Sequence, residues 1–198
     1  MPRRGAQGCH PPLCRPLPQG PGAPRRVSIR RLGPADAEGF RALRLEALEL
    51  APEAFGEDLS QAQGKTDLDY ANRLEMGDNF GAFAGDELVG MLLFMREDGP
   101  KIGHRAFVMS VYLQPAHRGT GLASDLLGAA LALAGESGVA QVELYVSSAA
   151  PRAHAFYLRE GFVEVGRSPR ALCVNGSYHD ELHMMLRLDR LESGPAGG

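Results

Sequence analysis

The stretch from 106 to 124, AFVMSVYLQPAHRGTGLAS, narrows the possible folds of this chain more than any other: an apolar strand pattern runs into a glycine-bearing turn and then straight into a helix. Gly119 and Gly121 leave no side chain between a ligand and the backbone, so successive N–H groups can converge on an anion. The helix that begins there adds the positive end of its dipole. A phosphate or pyrophosphate cradle is therefore expected in this segment.

Around it, strand and helix patterns alternate. Val27 to Leu32 reads as a strand, and Pro34 stands where helices commonly start. Phe40, Leu43, Leu45, Leu48 and Leu50 recur at roughly helical spacing up to Pro52; Ala54 to Lys65 reads as a loop and Asp67 to Met76 as a second helix. Phe80 to Ala84 and Leu88 to Met95 flank Gly85-Asp86-Glu87, a tight hairpin signal. After a turn over Glu97 to Gly103, Ala106 to Leu113 is an apolar strand expected to be covered on both faces. Leu122, Leu126, Leu127, Ala130, Leu131 and Ala134 then repeat at helical spacing until Gly135 and Gly138. Val139 to Val146 returns to strand, Ala149 to Glu160 is a helix closed by Gly161, and Phe162 to Val165 and Tyr178 to Leu188 are the last strands. The predicted order is β-α-α-β-β-β-α-β-α-β-β, a mixed α/β chain.

A chain of 198 residues, 44% of them hydrophobic, can bury one sizeable core. No apolar run approaches the roughly 18 residues that span a bilayer, so a soluble protein with no membrane partner is expected. Residues 1–26 are rich in Pro, Gly and Arg, hold no acid and lack the apolar stretch of a secretory signal; they read as a disordered tail. A single domain over 27–190 and a short flexible tail over 191–198 complete the expected organisation. The first tail takes five of the 21 basic residues, leaving 16 against all 24 acids, a formal charge of −8 on residues 27–198. An acidic surface favours encounter with cationic ligands such as amines and argues against nucleic-acid binding. Cys9, Cys14 and Cys173 are an odd number with two in the tail, which points to a reducing cytoplasm rather than a disulfide framework. Cys9-His10 and Cys14 have no second cluster at ligand spacing, so no metal is expected.

Gly119-x-Gly121-x-x-Ser124 is two thirds of a dinucleotide fingerprint. Its third glycine is Ser124, five residues separate strand from first glycine where that fold turns at once, and the acid it expects at the end of the next strand is replaced by Glu143 inside one. No G-x-x-x-x-G-K-[ST] is present, which removes a P-loop nucleotidase.

Arg118-Gly119-Thr120-Gly121-Leu122-Ala123 matches the [QR]-x-x-G-x-[GA] cradle of the GNAT superfamily of acetyl-coenzyme A dependent N-acetyltransferases, after a strand ending in Val111-Tyr112-Leu113-Gln114-Pro115. Ala153-His154-Ala155-Phe156-Tyr157-Leu158-Arg159-Glu160-Gly161-Phe162 resembles that family's A-x-x-x-Y-x-x-x-G-F segment, and Tyr178 to Met184 its closing strand. The resemblance spans about residues 27 to 188. It implies a central mixed, mostly antiparallel sheet flanked by helices, with acetyl-coenzyme A as cosubstrate and an amine as acceptor. By resemblance, the cradle from Arg118 to Ser124 (with Thr120, Leu122 and Ala123) holds the nucleotide, the pantetheine arm runs beside Val111 and Leu113, and an N–H near Met109 or Val111 polarises the acetyl carbonyl. Tyr157 would donate a proton to the departing thiolate, holding that proton at neutral pH because a phenol ionises near 10.

The chain also departs from the family pattern. Ala150 stands where many members carry an asparagine, with Ser147 or Ser148 as possible substitutes, and Arg105 stands where some carry a glutamate base. Candidate bases are then Glu143, Glu97, His104, Asp180 and Glu181, with bulk solvent as an alternative. The acidic loop Ala51 to Asp58 resembles a segment that overlies the acceptor site, so Phe55 and Glu57 are expected to contact a small cationic amine. Competing readings are a protein N-terminal or lysine acetyltransferase and a non-catalytic acyl-coenzyme A binding module. The final strand alternates weakly from Leu182 to Leu188 and offers a route to a homodimer.

Overall fold

The computed structural model describes residues 27–188. Both tails, with Cys9, His10 and Cys14, lie outside the described residues. Seven strands, β1 (Val27–Arg31), β2 (Asp78–Ala84), β3 (Glu87–Arg96), β4 (Arg105–Leu113), β5 (Gln141–Ser147), β6 (Val163–Val174) and β7 (Ser177–Arg187), form one sheet in the order β1-β2-β3-β4-β5-β7-β6. Among the described residues five α-helices accompany it: α1 (Ala37–Leu50), α2 (Leu59–Gln63), α3 (Asp67–Glu75), α4 (Leu122–Glu136) and α5 (Pro151–Arg159). Every strand pair is antiparallel except β4 with β5.

On one face, Leu92, Phe94, Val108, Val142, Leu144 and Met184 pack against Leu122, Leu126, Leu127 and Ala130 of α4 and Tyr157 of α5. The α4 residues recur at i, i+4, i+5 and i+8, which gathers them on one stripe of the helix. On the opposite face, α1, α2 and α3 cover β2 to β4 through Phe40, Leu43, Leu48, Tyr70 and Leu74 against Leu88, Met91 and Tyr112. That second core takes no residue from β5, β6 or β7. Among the described residues, no helix is long and apolar enough to cross a membrane.

The β4–β5 pair positions the site. Its register covers only Arg105–Phe107 against Gln141–Glu143. Beyond Phe107 the two strands part, and the β5-facing main chain of β4 has no strand partner. At the same level β4 carries an extra residue: Met109 lies opposite Leu93 and Tyr112 opposite Met91, so Leu92 alone faces Ser110 and Val111. Ser110 takes a φ of 51°, the left-handed region that non-glycine residues seldom occupy.

Four expectations change here. The Ala54–Lys65 loop contains α2, because Asp58 accepts the Ser60 N–H at 2.8 Å and Gln61 accepts the Asp58 N–H, a capping box in a stretch with little apolar periodicity. The strand expected to stop at Val165 continues to Val174, since pairing with β7 overrides the poor strand propensity of Gly166-Arg167-Ser168-Pro169. β4 is not covered on both faces: Met109 is 38% exposed, because the helices on its side end over β3 and the far end of β4. β7 cannot pair across a dimer, because β5 and β6 already flank it on both edges.

Candidate active site

A cleft of about 730 Å³ opens where β4 and β5 part. Val111, Tyr112 and Leu113 form one wall, Ala149–Ala153, Phe156 and Tyr157 the other, with Arg118 and Gly119 at one end and Glu53 to Phe55 over the top. Of the residues expected from sequence, the fold thus brings together Phe55, Val111, Leu113, Arg118, Gly119, Ala123 and Tyr157. Arg152 and Arg159 also line it; nothing but their place on the Tyr157 helix marked them in the sequence.

The glycine turn is built as an open cradle. Gly119 and Gly121 have φ of 75° and 90°, and a β-carbon on either would meet nothing within 4 Å, so both face open space. Thr120 Oγ1 donates to the His117 carbonyl at 2.8 Å and braces the turn. Gly121 is the N-cap of α4 and supplies no side-chain cap, whereas Asp58 closes α2 and Thr66 closes α3. The first N–H groups of α4 therefore have neither an intrahelical partner nor a capping side chain, and they sit beside the cleft. Leu122 anchors the helix start in the core, and Ser124 Oγ donates to Glu160 at 2.6 Å, tying that start to the end of α5. The Arg118 side chain folds back: Nε donates to the Leu113 carbonyl at 3.0 Å and the guanidinium lies 5.4 Å from the Tyr112 ring centroid.

Tyr157 is 7% exposed, edge-on to Phe156 and Phe162 at 5.1 and 5.7 Å. Burial pushes its phenol upward, so it stays protonated across the physiological range. Ala150 begins α5 without a side-chain cap, and the two serines do not substitute there: Ser147 Oγ accepts the Ala149 N–H and Ser148 Oγ the Asp180 N–H, both at 3.2 Å.

Met109, Glu57 and Glu143 stand apart from the cleft lining. Glu57 is already engaged: Arg44 donates to it through Nε and Nη2 at 3.0 and 2.8 Å, and Lys65 pairs with its other oxygen. Burial works to raise the Glu57 carboxyl, but the Lys65 and Arg44 hydrogen bonds outweigh it and hold the group below its ordinary value. Arg44 also donates to Ser110 Oγ at 3.2 Å and lies 4.6 Å from the Phe55 ring centroid, so one buried side chain joins the covering loop to the β4 bulge. Its sequence signal was a charged residue within the apolar stripe of α1, beside Leu43 and Ala47.

Glu143 does not fit the role of a base. It is 1% exposed, receives Arg105 Nε and Nη2 at 2.5 and 2.8 Å, Gln141 Nε2 at 2.7 Å, and contacts His183 Nε2 at 2.7 Å. The Arg105 guanidinium, with help from Gln141 and His183, overcomes the cost of burial and holds the carboxyl at about 2, against an ordinary glutamate value of 4.5. A carboxylate held so firmly ionised is a poor proton acceptor at neutral pH.

The profile of the acetyltransferase (GNAT) family matches residues 44–162. An uncharacterized N-acetyltransferase of Mycobacterium tuberculosis, and its counterpart in Mycobacterium bovis, are 30% identical over 105 residues; the match spans 48% of this chain and 65% of theirs, just under two thirds of their length. Among solved structures, a GNAT acetyltransferase from Streptococcus pneumoniae superposes with a TM-score of 0.74 at 22% identity, covering 82% of this chain and 100% of that one. YncA of Salmonella typhimurium, solved with its cofactor acetyl-coenzyme A, gives 0.73 at 20% identity, covering 87% and 99%. With a family match over more than half its length, and with the mostly antiparallel sheet and open α4 terminus described above, this chain belongs to the GNAT family of acetyltransferases.

Proposed function

We propose that the protein transfers the acetyl group of acetyl-coenzyme A to a primary amine, that of a small cationic molecule, by direct attack in a ternary complex in the cytoplasm. The observation that carries this reading is the uncapped N-terminus of α4 beside a cleft that also exposes unpaired β4 main chain. The donor set suits the ligand: cradle N–H groups for the pyrophosphate, with Arg118, Arg152 and Arg159 near enough to add positive charge. Free β4 main chain past Phe107 suits the amide-bearing pantetheine arm as an added strand. YncA, the neighbour solved with acetyl-coenzyme A, shares this fold.

In the reaction, the neutral amine nitrogen forms a bond to the thioester carbon and gives up one proton to solvent, the C–S bond breaks, and Tyr157 protonates the leaving thiolate and recovers its proton from solvent. The charge of −8 on residues 27–198 and Glu53 at the cleft favour a cationic acceptor. Glu57 contributes less than its position in the acidic loop suggested, since Arg44 and Lys65 already balance it.

Free-thiol release from acetyl-coenzyme A in the presence of spermidine, an aminoglycoside, free amino acids and an N-terminal alanine peptide tests the reading. Turnover of the small amines is expected; turnover of the peptide alone would replace it with protein acetylation. Tyr157→Phe should lower kcat about 100-fold while leaving acetyl-coenzyme A affinity unchanged. A full rate in that variant would remove the proton-donor role.

A further inference from the structure

The outer face of β5 and β7 carries a second polar assembly that the cleft does not use. Along β5, Val142, Leu144 and Val146 enter the core, so Glu143 and Tyr145 point the other way; along β7, Leu182 and Met184 enter the core and Glu181 and His183 point outward. Tyr145 and His183 are cross-strand partners whose rings stack at 4.6 Å, and Phe107 stacks beyond Tyr145 at 6.4 Å. Among the described residues the second core takes no residue from β5 or β7, and Tyr145 stays 50% exposed.

The His183 ring is fixed from one side. Glu143 is ionised and can only accept, so the 2.7 Å contact requires His183 Nε2 to donate. Nε2 keeps its proton in either charge state of the ring, and any proton gained or lost is exchanged at Nδ1. Among the described residues Nδ1 has no partner, and the His183 side chain is 25% exposed. Continuing the parallel register past Phe107 and Glu143 places Tyr145 level with Met109, where β4 and β5 part and the thioester would lie. A route to that opening from the outer face would run over Tyr145, next to its cross-strand partner His183.

We propose that His183 accepts the proton of the acceptor amine at Nδ1, through one bridging water, and that Glu143 is the positioning residue that fixes its ring. This rests on the acetyl-transfer reading. As the C–N bond forms, the proton leaves the nitrogen for Nδ1 and passes to solvent; Tyr157 supplies the separate proton to sulfur and recovers one from solvent, so amine and thioester become amide and thiol. An imidazole fits the task better than a strongly ionised carboxylate. The charged and titratable groups around it are Arg105 from β4, Glu143 and Tyr145 from β5, and Glu181 from β7, with Gly166 and Ser168 of β6 opposite. Burial pushes the Glu181 carboxyl upward, and it has no partner among the described residues.

The test compares wild type, His183→Gln and Glu143→Gln in three measurements: acetyl-coenzyme A affinity by calorimetry, the pH profile of kcat/KM for the best amine of the panel above, and imidazole 15N shifts. The expected result is an unchanged affinity in His183→Gln, a kcat/KM about 100-fold lower, and loss of one acid-side ionisation, the limb on which rate rises with pH. The 15N spectrum of the wild type should show a proton on Nε2 of His183, and Glu143→Gln should abolish that preference. A His183→Gln enzyme with the full rate and the same limb overturns the proposal while the acetyl-transfer reading stands. A wild type that turns over no amine overturns both.

Discussion

On the cleft side of the β4–β5 opening, the groups open to a ligand are mostly main chain: the turn at Gly119 to Gly121, the first turn of α4 and the unpaired edge of β4. On the outer side they are side chains held by other side chains, Arg105 with Glu143 with His183, and Arg44 with Glu57 and Ser110. A main-chain site depends on backbone shape and tolerates varied neighbours, so it leaves a local motif in the sequence. A side-chain network depends on strands far apart in the chain, and either partner is costly to lose. The cleft side should therefore respond to changes in backbone and charge, and the outer side to single side-chain deletions.

The largest effect on stability is expected at Glu143. Glu143→Ala should cost about 3 kcal/mol at pH 7 in urea unfolding, because it strips a buried hydrogen-bonded carboxylate from its partners. The folded value near 2 lies below the ordinary 4.5, so this contribution is complete above about pH 4.5 and is lost as pH falls toward 2. The gap between wild type and variant should shrink from pH 5 to pH 2.5; a constant gap would break the contrast between the faces.

Arg44→Met comes next, at about 2 kcal/mol, since the charge-assisted bonds to Glu57 go while Lys65 stays. Because Arg44 also grips Ser110 in the bulge and Phe55 in the covering loop, KM for the amine should rise while acetyl-coenzyme A affinity holds. An unchanged KM would show that the covering loop is placed without it. The smallest effect is expected at Arg118→Gln, about threefold in acetyl-coenzyme A affinity, because that side chain is spent on the Leu113 carbonyl and the Tyr112 ring. A hundredfold loss there would mean that the cleft side, too, works through side chains.

The same contrast explains what the sequence revealed. Gly119 and Gly121 mark a left-handed turn before an apolar-periodic helix, and Tyr157 sits in a recognisable segment, so the open turn and the opposite wall of the cleft were legible from local spacing. The mixed, mostly antiparallel character of the sheet followed from the resemblance, and the strand pairing bears it out. Glu143 was legible as an acid inside a strand, but its role was not: the ion pair comes from Arg105, 38 positions away, and the histidine from 40 positions away. His183 was hidden in an alternating strand where polar residues normally face water. α2 and the length of β6 were missed because a capping box and a long hairpin partner decided them against weak propensity.

The most direct measurement is calorimetric titration of acetyl-coenzyme A into the wild type and into Gly121→Glu, at fixed salt, with circular dichroism to establish that both are folded. The glutamate would force a side chain onto a φ of 90° and place a negative charge at the open end of α4. Micromolar binding by the wild type that disappears in the variant is the predicted result. Equal binding by both, or none by the wild type, would contradict the assignment of the α4 cradle as the nucleotide site.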